Sequence, residues 1–266
     1  MRFYEVKCVN NLSEKEINAL KYYIGDVEGN HPFYGDGKAY VVLNSLFFPD
    51  IHSEKMRAAE GKYLNPAIIA EVPRLLDFFN SIFSVFGKSL LKQSCTAYRV
   101  ERMADFEICR SLGRTVSLTS TSTAGFLDAY CDRRGIALMK FNLSEGSHVI
   151  NVAEILDFYA KPEEAEILLP PFVTLDIRDL KLTDEQRCIT DCDGNQPITS
   201  VEVNIGDICD DVNNENIHIS DCDAGIRVYD ALNCGEIPDI EDISEYSQWK
   251  KSLQRKLYYI FRQYML

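Results

Sequence analysis

The chain has 266 residues, 46% of them hydrophobic and 26% charged, which is ordinary for a globular protein long enough to bury a core without disulfide or metal staples. Lys and Arg number 28 against 41 Asp and Glu, and the net charge of −13 argues against a general nucleic-acid binder or a coat for anionic membranes. The first residues carry no apolar leader core, and the most apolar segment, Leu75 to Leu91, is broken by Asp77, Asn80, Ser81, Ser84, Gly87 and Lys88, so neither a cleaved signal nor a membrane span is expected.

Residues 1–92 read as mainly helical. Ser13-Glu14-Lys15-Glu16 is a capping box, Ile17, Leu20 and Ile24 follow at helical spacing, and Gly25 suits the stop. A loop rich in Gly, Asp, Asn and Pro is expected over 25–37, and a short helix over Ala39–Phe47, ended by Pro49. Pro66 fits the first turn of a further helix. Pro73 to Phe86 is apolar over a wide face (Leu75, Leu76, Phe78, Phe79, Ile82, Phe83, Phe86) and reads as core.

From about Cys95 the texture changes to short runs of β-branched and aromatic residues. Thr96–Arg102, Thr115–Thr119, Ile136–Asn142, Glu164–Leu169, Thr174–Leu182 and Ile198–Ile205 read as strands, and Ala124–Arg133 as a short helix. Asp207 to Glu245 holds twelve acidic residues against Arg227 alone, and Ser244–Leu266 is a basic amphipathic helix with Trp249, Leu253, Leu257, Ile260 and Tyr264 as its apolar stripe. Two readings fit that helix: a partner- or membrane-binding element, or a helix docked on the body and neutralised by the acidic segment.

The nine Cys include no C-x-x-C pair, and the four His sit at no zinc-finger spacing, so reduced thiols and no metal are expected. Asp191-Cys192-Asp193-Gly194 and Asp221-Cys222-Asp223 lack the ligand spacing of a calcium loop and read as turns. His148 does not complete a serine hydrolase with Ser120 or Ser147, because the chain has no G-x-S-x-G elbow.

Three pieces of the strand-rich half carry chemistry as a set. They are Tyr98-Arg99-Val100-Glu101-Arg102, then Ser117-Leu118-Thr119-Ser120-Thr121-Ser122, a strand ending in Ser-Thr-Ser, then Glu163-Glu164-Ala165-Glu166 followed by Ile167-Leu168-Leu169-Pro170-Pro171. Strand alternation would put Glu164 and Glu166 on one face and would align Ser120 with Ser122, while an Arg in the same cleft can grip a phosphate bidentately. In this order the pieces resemble the Arg–Ser–Glu class of mono-ADP-ribosyltransferases, found among bacterial toxins and effectors. The closest match is E-x-E, three aliphatics and Pro-Pro; Val100 departs from the Gly that many relatives carry after the Arg. The resemblance covers about residues 10–205.

The resemblance implies an α+β chain with an ADP-ribosyltransferase fold, in which a mixed β-sandwich core follows a helical N-terminal lobe. One catalytic domain over 1–266 is expected: a helical lobe at 1–92, an NAD-binding β core at 93–205, and, outside the resemblance, the acidic segment with its terminal helix at 206–266. Arg99 would hold the NAD diphosphate, with Ser120, Thr121, Ser122 and Phe126 completing the cofactor contacts and Phe126 stacking on nicotinamide. Ser120 would orient Glu166, which would bind the ribose and stabilise the positive centre as nicotinamide leaves. Glu164 would activate the acceptor, and Phe158 or Tyr159 would read the protein substrate. The resemblance points to transfer onto arginine, or onto a threonine or serine hydroxyl as on ubiquitin, with actin and small GTPases as further candidate partners. An NAD glycohydrolase and a non-catalytic module of the same fold are the alternatives. The location implied is a cytosol, either the producing cell's or that of a host into which the protein is delivered without a cleaved signal.

Overall fold

The computed structural model describes residues 6–8, 11–25, 40, 43–44, 46–48, 69, 72–123, 136–156, 165–184 and 199–266. The expected loop beyond Gly25, the helix at Pro66, the helix over 124–133, Glu164, Phe126, Phe158, Tyr159 and the 191–194 turn lie outside the described residues. The described elements, in chain order, are β1 (Val6–Cys8), α1 (Glu14–Ile24), α2 (Val72–Lys88), β2 (Ser89–Leu91), β3 (Cys95–Arg102), α3 (Met103–Leu112), β4 (Thr119–Ser122), β5 (Ile136–Leu143) and β6 (Ile150–Asn151). They continue with α4 (Val152–Ile155), β7 (Glu166–Leu169), β8 (Val173–Asp179), β9 (Thr199–Ile208), α5 (Asp223–Asn233) and α6 (Ile240–Met265). The class is α+β, as expected.

The chain divides into two compact units. One comprises Met1–Asn11 and Phe86–Cys209, the other Leu12–Val85 and Asp210–Leu266. The first is built on a seven-stranded mixed sheet of order β6-β7-β4-β3-β5-β9-β8, with β1 and β2 forming a separate antiparallel pair. Every ladder of the large sheet is antiparallel except β5–β9. Ala97, Ala137, Met139, Phe141, Ile167, Leu169, Val201 and Val203 cover one face of it, with Phe106 of α3 packed in the same cluster. The ladders are uneven. β3 and β5 pair over eight residues and β4 and β7 over four, whereas β3 and β4 share the single pair Tyr98↔Ser122. The sheet is thus a three-stranded segment (β6-β7-β4) and a four-stranded segment (β3-β5-β9-β8) joined at a narrow seam.

Several expectations need correction. The first 92 residues are not all helical, since β1 and β2 pair across more than eighty positions of chain. The strand expected over Thr115–Thr119 begins at Thr119, because the preceding backbone bonds elsewhere: Thr115 N–H donates to the Val173 carbonyl at 2.9 Å and its hydroxyl to the Pro170 carbonyl at 2.9 Å. The strand expected from Glu164 starts at Glu166, because Ala165 is left-handed (φ 44°) and breaks the two-residue alternation. Asp223, expected in a turn, opens α5.

The second unit shows its sequence logic clearly. Ser13 caps α1, its hydroxyl accepting from Glu16 N–H at 3.3 Å while the Glu16 carboxylate accepts from Ser13 N–H at 2.7 Å; the left-handed Gly25 (φ 80°) ends the helix. On α2, Phe79 stacks on Phe83 at 5.8 Å between ring centres, and Phe47 and Phe261 meet these rings edge-on at 5.0 and 5.3 Å. Helix α6 is docked. Trp249, Leu253, Leu257 and Ile260 are buried, Arg255 and Arg262 reach Glu215 and Asp210 of the acidic segment, and Tyr264 donates to Asn80 at 2.9 Å. Helix α5 approaches α6 at Gly225, where a Cβ would stand 2.8 Å from the buried Tyr246 ring, so the crossing requires a glycine.

Candidate functional site

One residue or more of each sequence piece falls on one of three strands adjacent in the sheet. Arg99 lies on β3, Ser120 and Ser122 on β4 and Glu166 on β7, neighbours in the sheet, with the seam between β3 and β4. Strand β3 forms because Thr96, Tyr98 and Val100 suit a pleated surface and its whole length pairs with β5. On β4 and β7 the hydroxyls do the local work. Thr121 donates to the Ile167 carbonyl at 2.8 Å, and Thr123 donates to the Ala165 carbonyl through both its hydroxyl and its backbone N–H, each at 3.1 Å. These bonds fix the start of β7, and with it Glu166, against β4.

Register decides which side chains meet. Tyr98, Ser122 and Glu166 stand in one cross-strand row and so share a face. Ser120 shares that face by the two-residue period, and stands across from Leu168. Ser122, not Ser120, is therefore directly opposite Glu166. Glu166 is buried, at 8% exposure, and Ser122 is buried with it, while Ser120 is half-buried beside the seam.

Arg99, one residue on from Tyr98, starts from the opposite face, in register with Met139. From that face its head reaches the backbone of β4. Beyond Tyr98↔Ser122 the strands β3 and β4 have no further ladder pair, and the guanidinium spans the gap: Nη1 donates to the Ser120 carbonyl at 2.7 Å. Nε donates to the Glu101 carboxylate at 2.5 Å, in an ion pair whose side chains are 24% and 16% exposed. That pair is shielded enough to hold its geometry, unlike most surface pairs. Sequence reasoning gave Glu101 no role. The signal was present, since residues i and i+2 of a strand share a face.

The electrostatics around the seam are local. Burial pushes the Cys109 thiol of α3 up to about 12, with the Glu101 and Asp105 charges raising it further and Arg99 opposing them. His148 is engaged elsewhere, its Nδ1 lying 2.9 Å from the Phe86 carbonyl. A cavity of about 280 Å³ under α3, lined by Phe106, Arg110, Leu175, Ile177, Arg178 and Val201, includes none of Arg99, Ser120 or Glu166. Among the described residues no group of three His, Cys, Asp or Glu side chains could hold a metal, and no helix is long and apolar enough to cross a membrane.

No protein-family model and no curated protein matches the chain. Solved structures do. Plx2a, an ADP-ribosyltransferase toxin from Paenibacillus larvae, is 17% identical with a TM-score of 0.45, over 73% of this chain and 87% of that one. The C3 exoenzyme of Clostridium limosum is 17% identical with a TM-score of 0.44, over 73% of this chain and 86% of that one. The ADP-ribosylating toxin BECa of C. perfringens, solved with NADH, is 13% identical with a TM-score of 0.47, over 74% of this chain and 44% of that one.

Proposed function

We propose that the chain is an NAD-dependent mono-ADP-ribosyltransferase of the Arg–Ser–Glu class, which transfers ADP-ribose to a protein side chain, arginine first among the acceptors, and releases nicotinamide. The observation that supports the reading is the placement of Arg99, Ser120 and Glu166 on three strands adjacent in the sheet, with the Arg99 guanidinium 2.7 Å from the Ser120 carbonyl at the seam.

The donor set fits the substrate. A guanidinium suits a diphosphate, hydroxyls suit ribose, and a buried carboxylate suits a positive charge. NAD supplies the C1′–N bond whose electron pair leaves with nicotinamide, while an acceptor lone pair forms the new bond to C1′. Arg99 holds the diphosphate at the seam. Ser120, Thr121 and Ser122 line the nucleotide, and the Ser120 hydroxyl orients Glu166. Glu166 accepts from the ribose hydroxyl and faces the positive charge that develops at C1′; burial makes its negative charge more effective there than in water. Glu164 takes the acceptor's proton, so the products are the modified side chain, nicotinamide and one proton. Phe126 stacks on nicotinamide, and Phe158 or Tyr159 contacts the protein substrate, for which actin, small GTPases and ubiquitin are candidates. The catalytic domain is proposed to span 1–266, with 1–92, 93–205 and 206–266 as its parts, acting in a cytosol either resident or after delivery into a host.

The test is incubation of the chain with isotopically labelled NAD and host-cell lysate, followed by mass spectrometry. The expected result is labelled ADP-ribose on a protein side chain. Nicotinamide release without any labelled protein would assign the chain as a glycohydrolase instead.

A further inference from the structure

Glu101 takes no part in the chemistry above, yet it makes the shortest charged contact at the seam. Its Oε2 accepts from Arg99 Nε at 2.5 Å, and its Oε1 faces the backbone N–H of Arg102 at 3.2 Å, where β3 passes into α3. The carboxylate is thereby tied to main chain at one oxygen and to Arg99 at the other. Arg99 is held a second time through Nη1 on the Ser120 carbonyl. A planar guanidinium gripped through both Nε and Nη1 has its position and its plane fixed. We infer that Glu101 is the positioning residue that sets Arg99 for a nucleotide diphosphate; this rests on Arg99 being the diphosphate contact proposed above.

Glu101 acts on an incoming anion in two opposed ways. Its negative charge repels a diphosphate and offsets the charge of Arg99. Its oxygen pre-orders a long side chain that would otherwise lose rotamer freedom on binding. The pair is largely shielded, with side chains 24% and 16% exposed, so the geometry is held before any ligand arrives. Ordering outweighs repulsion if the oxygen matters more than its charge, and two substitutions separate them. Glu101→Gln keeps an acceptor oxygen and loses the charge, whereas Glu101→Ala loses both.

The experiment uses the full chain carrying Glu166→Gln, so that turnover does not consume NAD, with Glu101, Glu101→Gln and Glu101→Ala compared. Calorimetry gives the Kd for NAD. Without ligand, nitrogen-edited NMR follows the Arg99 Nε–H, assigned by its loss in Arg99→Lys. Thermal melts confirm that each variant is folded. Glu101→Ala should raise Kd at least fivefold and bring the Arg99 Nε–H into fast exchange with water. Glu101→Gln should bind NAD within twofold of its parent, or more tightly, and keep the Nε–H protected. An affinity in Glu101→Ala within twofold of the parent or tighter, or a protected Nε–H without Glu101, overturns the inference while the proposed function stands. Absence of NAD binding by every variant, the Glu101 parent included, overturns the reading of the site and the inference with it.

Discussion

Arg99 is the residue at which structure and proposed function are most tightly joined, and its removal has two separable effects. The guanidinium makes two short contacts, 2.5 Å to Glu101 and 2.7 Å to the Ser120 carbonyl, across a seam where β3 and β4 share one ladder pair. A hydrogen bond to a charged group contributes about 1.5–3 kcal/mol to stability. With the Arg99 side chain 24% exposed, screening lowers the sum for both contacts, and we expect Arg99→Ala to destabilise the fold by about 2 kcal/mol. That corresponds to a fall in Tm of roughly 4–8 °C. The same change removes the proposed diphosphate grip and should weaken NAD binding at least tenfold, about 1.4 kcal/mol. Lysine is a single point charge that cannot span Glu101 and Ser120 together, so Arg99→Lys should recover less than half of either loss. Calorimetric titration with NAD and a thermal melt of each variant read the two effects separately. An Arg99→Ala protein that melts with the parent and binds NAD equally well refutes both the bridge and the phosphate assignment.

Ala165 is buried with φ 44°, a conformation most hostile to a β-branched residue, so Ala165→Val should destabilise by about 2 kcal/mol or more; a urea midpoint equal to the parent's would contradict this. Ser120 stands half-buried at the seam and Ser122 is buried across from Glu166, so Ser120→Ala should slow nicotinamide release at least tenfold and Ser122→Ala by a smaller factor. The reverse order would transfer the orienting role to Ser122. Burial raises the Cys95 thiol to about 11 and Cys109 to about 12, above their ordinary value of 9.0. The unfolded chain loses these protons first, so stability should be intact below about pH 9 and fall as pH rises through 11–12. Iodoacetamide at pH 8 should modify exposed Cys234 and spare buried Cys95; rapid labelling of Cys95 in the folded protein would contradict the burial.

The sequence made the two long central strands legible because their signals are local. β3 and β5 lie within a residue or two of the expected bounds, since β-branched and aromatic runs bounded by turn residues need no tertiary information. The capping box of Ser13 and Glu16 is likewise a local device. Helix α3 went unread because it follows β3 directly, and Arg102 at its start makes no side-chain capping bond. Cys222 ahead of α5 makes none either, so the acidic residues there resembled a turn. β1 and β2 are three residues each and owe their existence to each other, a pairing that no window of sequence contains. At the site, the family resemblance pointed to Arg99, Ser120 and Glu166, but not to the narrow seam that turns Arg99 toward β4, nor to the left-handed Ala165 that starts β7 at Glu166. Both features depend on how strands part, which a two-residue alternation does not encode.

Under the proposed function, Glu166 stabilises the departure of nicotinamide while Glu164 serves only the acceptor. The direct measurement is nicotinamide release and ADP-ribose incorporation in parallel for Glu166→Gln and Glu164→Gln, each shown to be folded by its thermal melt. An amide keeps the shape of Glu166 and loses the charge, so Glu166→Gln should lower both readouts by about 10²–10³, the range for removing one preorganised electrostatic contact. Glu164→Gln should abolish incorporation and leave slow nicotinamide release. Release at the parent rate from Glu166→Gln would contradict the account, whatever happens at Glu164.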